Sequence, residues 1–209
     1  TPEGYYKDLF MDGGVKLTSR SSLAAADLLG LSYDVLATTS ETTQKKMMIT
    51  STDDTNGCLL YPDGAPRYRV IFTNGGSATG HGTSLGATGR QRVKDFFAAG
   101  GSYTGSCAGA FLAMIHNNKP VFDKNGPYKY YYGLWPGIGR SANTLKQYHD
   151  IHFKKLSHPL VKKFPSLADG TVSAVYHNGG CRFQDSYFPM PKGTEYLGAS
   201  TFAYFEVGL

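Results

Sequence analysis

Apolar and polar positions along the chain fall into short alternating runs divided by glycine-rich breaks. Lys7 to Met11 (KDLFM) predicts a strand closed by Asp12-Gly13-Gly14, and Tyr33 to Ala37 predicts a second. Between them, Ser19 to Ser22 offers N-cap hydroxyls to a helix over Leu23 to Leu29 that Gly30 ends. Met47 to Thr50 and Cys58 to Tyr61 read as a hairpin across the turn Asp53 to Gly57. Arg69 to Thr73 (RVIFT) is the clearest buried strand, and Gln91 to Ala99 is an amphipathic helix stopped by Gly100-Gly101. Later strands are expected over Tyr128 to Leu134, His149 to Lys155, Thr171 to Tyr176, Glu195 to Leu197 and Thr201 to Val207, with a short helix over His158 to Phe164. Strand, helix, strand at this spacing argues for an α/β fold. No internal repeat or linker interrupts it, so the pattern predicts one domain over residues 1–209.

The chemistry concentrates in Gly100 to Ala113, GGSYTGSCAGAFLA. Ser102 to Gly105 suits a strand, and Ala110 to Ile115 suits a buried helix. A residue squeezed between the two sits on a tight turn whose neighbours must be small. Gly105, Ala108 and Gly109 meet that demand and leave Cys107 as the projecting side chain, the logic of a nucleophile elbow with a thiol in place of a hydroxyl. The helix that follows points its first amides at the sulfur, which favours a nucleophile. The competing reading is a buried structural cysteine. Upstream, the strand ending at Thr73 runs into Asn74-Gly75-Gly76-Ser77. There the Gly76 amide, with the Ala108 amide after the nucleophile, can form an oxyanion hole. Gly75 and His81 are candidate substrate contacts, His81 alternatively a solvated loop histidine. His149 and His152 read as surface strand positions and His116 as a helix-end residue.

Composition changes this picture little. The 209 residues carry a net charge of +5, with lysines paired only at Lys154-Lys155 and Lys162-Lys163, which predicts a solvated face and no nucleic-acid partner. No apolar run approaches the ~20 residues of a membrane helix, and no membrane partner is expected. Three cysteines leave one unpaired: Cys58 and Cys181 can pair in an exported protein, and all three stay thiols in a reducing one. The chain opens at Thr1-Pro2, which suits a matured or trimmed polypeptide and a secreted or vesicular location over a cytoplasmic one. No Cys-x-x-Cys or histidine cluster has metal spacing, and neither metal nor cofactor is expected.

Four stretches together carry a resemblance: Val70 to Ser77, Gly100 to Phe111, Leu134 to Tyr148 with its Trp-Pro-Gly, and Val175 to Phe183 with its Asn-Gly-Gly. In that order they resemble the class I glutamine amidotransferase-like superfamily, and within it the amidotransferase-like N-terminal domain of fungal biotin–protein ligases. The resemblance implies a mostly parallel central sheet with helices on both faces, flavodoxin-like, with Cys107 on the family nucleophile and Gly76 and Ala108 on its oxyanion amides. It also implies a strand bearing His-Pro-Glu, which this sequence lacks. The base is then either His177, which ends the strand over Thr171 to Tyr176, or a residue on a further segment, such as a second polypeptide of the same precursor supplying the C-terminal strand. The expected function is a cysteine hydrolase, a thiol protease or amidase, that cuts a peptide or γ-glutamyl-like amide through an acyl-thioester. The alternatives are the glutaminase half of an amidotransferase and a catalytically retired binding module on the same fold.

Overall fold

The computed structural model describes residues 8–12, 26–37, 59–117, 129–141, 147–177, 181–183, 192–194, 196–200 and 206–208. It is a mixed α/β protein. By packing, the chain divides into two compact units, one of residues 1–116 and 122–136 and the other of 117–121 and 137–209.

The first unit is built on four strands, β1 (Asp8–Asp12), β2 (Tyr33–Ala37), β3 (Val70–Thr73) and β4 (Ser102–Gly105), in the order β2-β1-β3-β4. Each neighbouring pair is parallel, with Phe10 facing Val35 on one side and Phe72 on the other, and Thr73 facing Gly105. Parallel neighbours need a crossover. Between β3 and β4 it is supplied by α1 (Ala78–Ala98), which starts thirteen residues ahead of the helix expected from Gln91. Gly80, Gly82, Gly86 and Gly89 hide the first half of this helix from a propensity reading. Gly86 adopts φ 67°, ψ 176° and kinks the helix, and the Arg90 guanidinium donates to the Gly82 carbonyl oxygen at 2.6 Å across the break.

The short helix α2 (Ala108–Ala113) packs on β3, β4 and α1. Ile71, Val93, Phe96 and Leu112 form the fully buried centre, each 0 % exposed. Residues 129–136 do not form the expected strand. Their amides go elsewhere: Tyr132 donates to the Leu112 carbonyl at 2.7 Å and Trp135 to that of Ala113 at 2.8 Å, capping the end of α2. The chain leaves this unit at the two-residue β5 (His116–Asn117), so His116 lies on a strand and not at a helix end.

Pairing in the second unit is antiparallel. Here β6 (Ile138–Ser141) pairs with β9 (Cys181–Phe183). A second sheet takes β7 (Gln147–Phe153), β8 (Thr171–His177), β10 (Tyr196–Ser200) and β11 (Glu206–Gly208) in the order β11-β10-β7-β8. The resemblance implies a mostly parallel sheet, whereas the parallel pairing described is that of β1 to β4. A bulge sets Asp150 against Ser173 and Ala174, and the Ala174 amide, at φ 56°, donates to Asp150 Oδ1 at 2.9 Å. Between β7 and β8 the chain makes α3 (Pro159–Lys162) and a 3-10 turn, Pro165–Leu167. The hairpin expected over Met47 to Tyr61 falls largely outside the described residues.

Candidate active site

Strand β4 ends at Gly105, and α2 begins at Ala108. Ser106 fixes the turn between them by donating its amide to the Thr73 carbonyl at 3.0 Å. Two glycines let the helix sit directly on the strand ends. A Cβ on Gly105 would lie 2.4 Å from the Gly109 carbonyl carbon, and one on Gly109 would lie 2.1 Å from the Thr73 carbonyl oxygen.

Cys107 takes φ 53°, ψ −110°, a conformation that costs a side-chain-bearing residue about 1–3 kcal/mol. It is a free thiol, partly exposed, and it makes no capping hydrogen bond to α2. Ala108 behind it is 2 % exposed. Cys107 is thus a strained, partly exposed residue between Ser106, which is hydrogen-bonded to β3, and the buried Ala108.

In-register pairing of Thr73 with Gly105 brings the segment after β3 and the segment after β4 to the same edge of the sheet. The first segment holds Gly75, buried, and Gly76, exposed at φ 122°. Ser77 then caps α1, its Oγ accepting from the Gly80 amide at 3.0 Å. His81 lies in α1 and is 1 % exposed, so it is not the solvated loop histidine of one sequence reading. Its Nε2 sits 3.4 Å from the Gly75 carbonyl oxygen, a contact to which only a protonated Nε2 can donate. Gly75 and His81 thus contact each other in forming the loop that carries Gly76.

Sequence reading missed Tyr103. Two residues before Gly105, it donates its hydroxyl to the Gly109 carbonyl oxygen at 2.8 Å, tying β4 to the first turn of α2. Burial pushes this hydroxyl far above the ordinary phenol range, only partly offset by the neighbouring Thr73, so it stays a proton donor at any physiological pH. Tyr132 packs edge-on against it, with centroids 5.8 Å apart. A tyrosine on a strand carries no signal of such a role in a sequence.

His149, His152, His177 and Cys181 belong to the second unit. His177 is the last residue of β8, opposite Gln147, while Cys107 belongs to the first unit. Cys181 opens β9, and Cys58 lies outside the described residues. His149 is 4 % exposed and not a surface position, because it shares strand parity with Ile151 and Phe153. His152, of opposite parity, is exposed beside Thr171 Oγ1 at 3.2 Å. Among the described residues no group of three His, Cys, Asp or Glu side chains is placed to hold a metal.

Comparison with a solved structure gives the class of fold: it is glutamine amidotransferase-like. The likeness rests on a crystal structure of a glutamine amidotransferase, which superposes with a TM-score of 0.53 at 12% identity over 91% of this chain and 79% of that one. A structure of SMU.1228c superposes over 93% of this chain and 68% of that one at 12% identity, with a TM-score of 0.48. No protein-family model matches the chain, and no curated protein matches it.

Proposed function

We propose that this protein is a cysteine-nucleophile hydrolase of an amide bond, peptide or γ-glutamyl-like. The observation that supports this best is the strained, accessible Cys107 at the junction of β4 and α2, on a glutamine amidotransferase-like fold. In this reading, Cys107 Sγ attacks the amide carbonyl carbon, and the resulting oxyanion takes hydrogen bonds from the Gly76 and Ala108 amides. The base takes the thiol proton as Sγ attacks and gives it to the leaving amine as the C–N bond breaks. Water then attacks the acyl-thioester carbonyl, the C–S bond breaks, and the carboxylic acid leaves as the thiol is restored. The base is either His177 or a residue on a further segment, such as a second polypeptide of the same precursor. The likeness to the domain of fungal biotin–protein ligases, carried by the four sequence stretches, belongs to the same proposal. So does the glutaminase reading, in which glutamine is the amide cleaved.

The test is hydrolysis of a panel of peptide and γ-glutamyl anilides by the wild type, Cys107→Ala and His177→Gln. Cys107→Ala should lose activity with its unfolding midpoint kept within the range of a surface substitution, and His177→Gln should lose about 10²–10⁴ in rate. Full activity in Cys107→Ala would sink the nucleophile. Full activity in His177→Gln would assign the base to another residue. A wild type inert on every substrate favours the retired binding module.

A further inference from the structure

The peptide that joins Gly75 to Gly76 is flanked by the two residues least able to fix its orientation. Turning its plane changes only the ψ of Gly75 and the φ of Gly76, and glycine accepts either sign of φ at little steric cost. Gly76 stands at φ 122°, where a side chain would be strained. The Gly75 carbonyl and the Gly76 N–H belong to that one plane and, in a trans peptide, point in opposite directions. Whatever holds the carbonyl therefore aims the amide.

His81 holds the carbonyl. Its Nε2 lies 3.4 Å from the Gly75 oxygen, and because that oxygen can only accept, the nitrogen is the donor. The ring is 1 % exposed and Gly75 is buried too, so the contact is made away from bulk water. The donor stands on a fixed platform. The His81 amide donates to the Ser77 carbonyl at 2.9 Å, and the His81 carbonyl accepts from Ser84 Oγ at 3.2 Å. Gly82 beside it packs so tightly that an added Cβ would lie 1.9 Å from the Tyr130 carbonyl oxygen. A locked helical turn thus carries the donor, and a glycine loop receives it. The far end of the same peptide plane leads to Gly76, which is exposed.

We infer that His81 is a positioning residue of the oxyanion hole: its buried Nε2–H holds the Gly75 carbonyl and so aims the Gly76 amide. The site served is at the edge of the sheet to which the pairing of Thr73 with Gly105 brings both loops. The inference rests on the hydrolase reading for the oxyanion, and on the loop alone for the aiming. His81 neither touches substrate nor moves a proton in this role. It acts through the peptide it holds, which keeps the donor in place before charge develops on the substrate oxygen.

The experiment compares the full-length wild type with His81→Leu, which fills the space without a donor, and His81→Gln, whose amide restores an N–H. On the anilide panel, His81→Leu should lose about 10²-fold in kcat, the lower end for one oxyanion donor, with KM unchanged. His81→Gln should recover most of that loss. Iodoacetamide displaces iodide from a CH2 carbon and forms no oxyanion, so Cys107 should be alkylated at one rate in all three. In crystals, the 75–76 peptide should be turned in His81→Leu and kept in His81→Gln. His81→Phe replaces His81→Leu if the latter does not fold. Wild-type hydrolysis by His81→Leu, a loss that His81→Gln does not recover, or an unturned peptide in His81→Leu would each overturn the inference. So would alkylation that falls in step with hydrolysis, which would place the effect on the thiol. A wild type inert on the panel, with the peptide turned in His81→Leu, would fail the hydrolase reading while supporting the aiming of Gly76 by His81.

Discussion

At the scale of single residues, Cys107 is held where its own backbone is least comfortable. Its φ of 53° is tolerated because Ser106 on one side is tied to Thr73 of β3 and Gly109 on the other to Tyr103 of β4. Removing the thiol without removing the strain separates function from stability. Cys107→Gly and Cys107→Ala should both be inactive, yet the glycine variant should be the more stable by about 1 kcal/mol, because glycine reaches positive φ without a steric cost. Denaturant midpoints measure this, and an alanine variant at least as stable as the glycine variant would show that Cys107 is unstrained. The candidate nucleophile was legible in the sequence because small residues on both sides leave few alternatives. His158 was not: an imidazole before proline has no propensity signature, although it caps α3.

At the scale of elements, the glycines of α1 do two different things. Gly86 supplies a kink at φ 67° with no heavy atom within 4 Å of an added Cβ, while a Cβ on Gly82 would lie 1.9 Å from the Tyr130 carbonyl oxygen. Gly86→Ala should therefore cost only the backbone strain, about 1–2 kcal/mol. Gly82→Ala must push segment 129–136 off the helix and should cost more, about 3 kcal/mol or above, at or beyond the upper end for overpacking. Thermal or urea unfolding of both variants decides it, and equal losses would contradict the packing described. Local periodicity found Tyr33–Ala37 and Val70–Thr73, whose strand residues speak for themselves. It failed over Tyr128 to Leu134, where aromatic content suggests a strand but the backbone donors are spent capping α2.

At the scale of the whole molecule, the first unit keeps two phenols inside. Burial raises the Tyr132 hydroxyl well above its ordinary value of 10.0, reinforced by Tyr103 and partly opposed by Arg90, and burial raises Tyr103 as well. In the unfolded chain both ionise near pH 10, whereas in the folded chain both keep their protons. Their contribution is therefore intact below pH 10 and is lost as pH rises through the folded values. Stability measured by urea should be level with respect to these groups up to about pH 10 and then fall by as much as ~1.4 kcal/mol per pH unit for each tyrosine. Tyr132→Phe should flatten that fall, and an unchanged alkaline limb would contradict the burial. Global organisation was the least legible level. Parallel pairing of β1 to β4 follows from short strands separated by helix-length spacers, but strand order and the antiparallel second unit depend on contacts between residues distant in sequence.

Across the whole chain three cysteines are candidates for an electrophile, and the account stands on which one reacts. Sub-stoichiometric iodoacetamide at neutral pH on the native, unreduced protein, followed by peptide mapping, reads this directly. The label should fall on Cys107 ahead of Cys58 and Cys181. Label on Cys58 or Cys181 with Cys107 still free would contradict the assignment of Cys107 as the nucleophile.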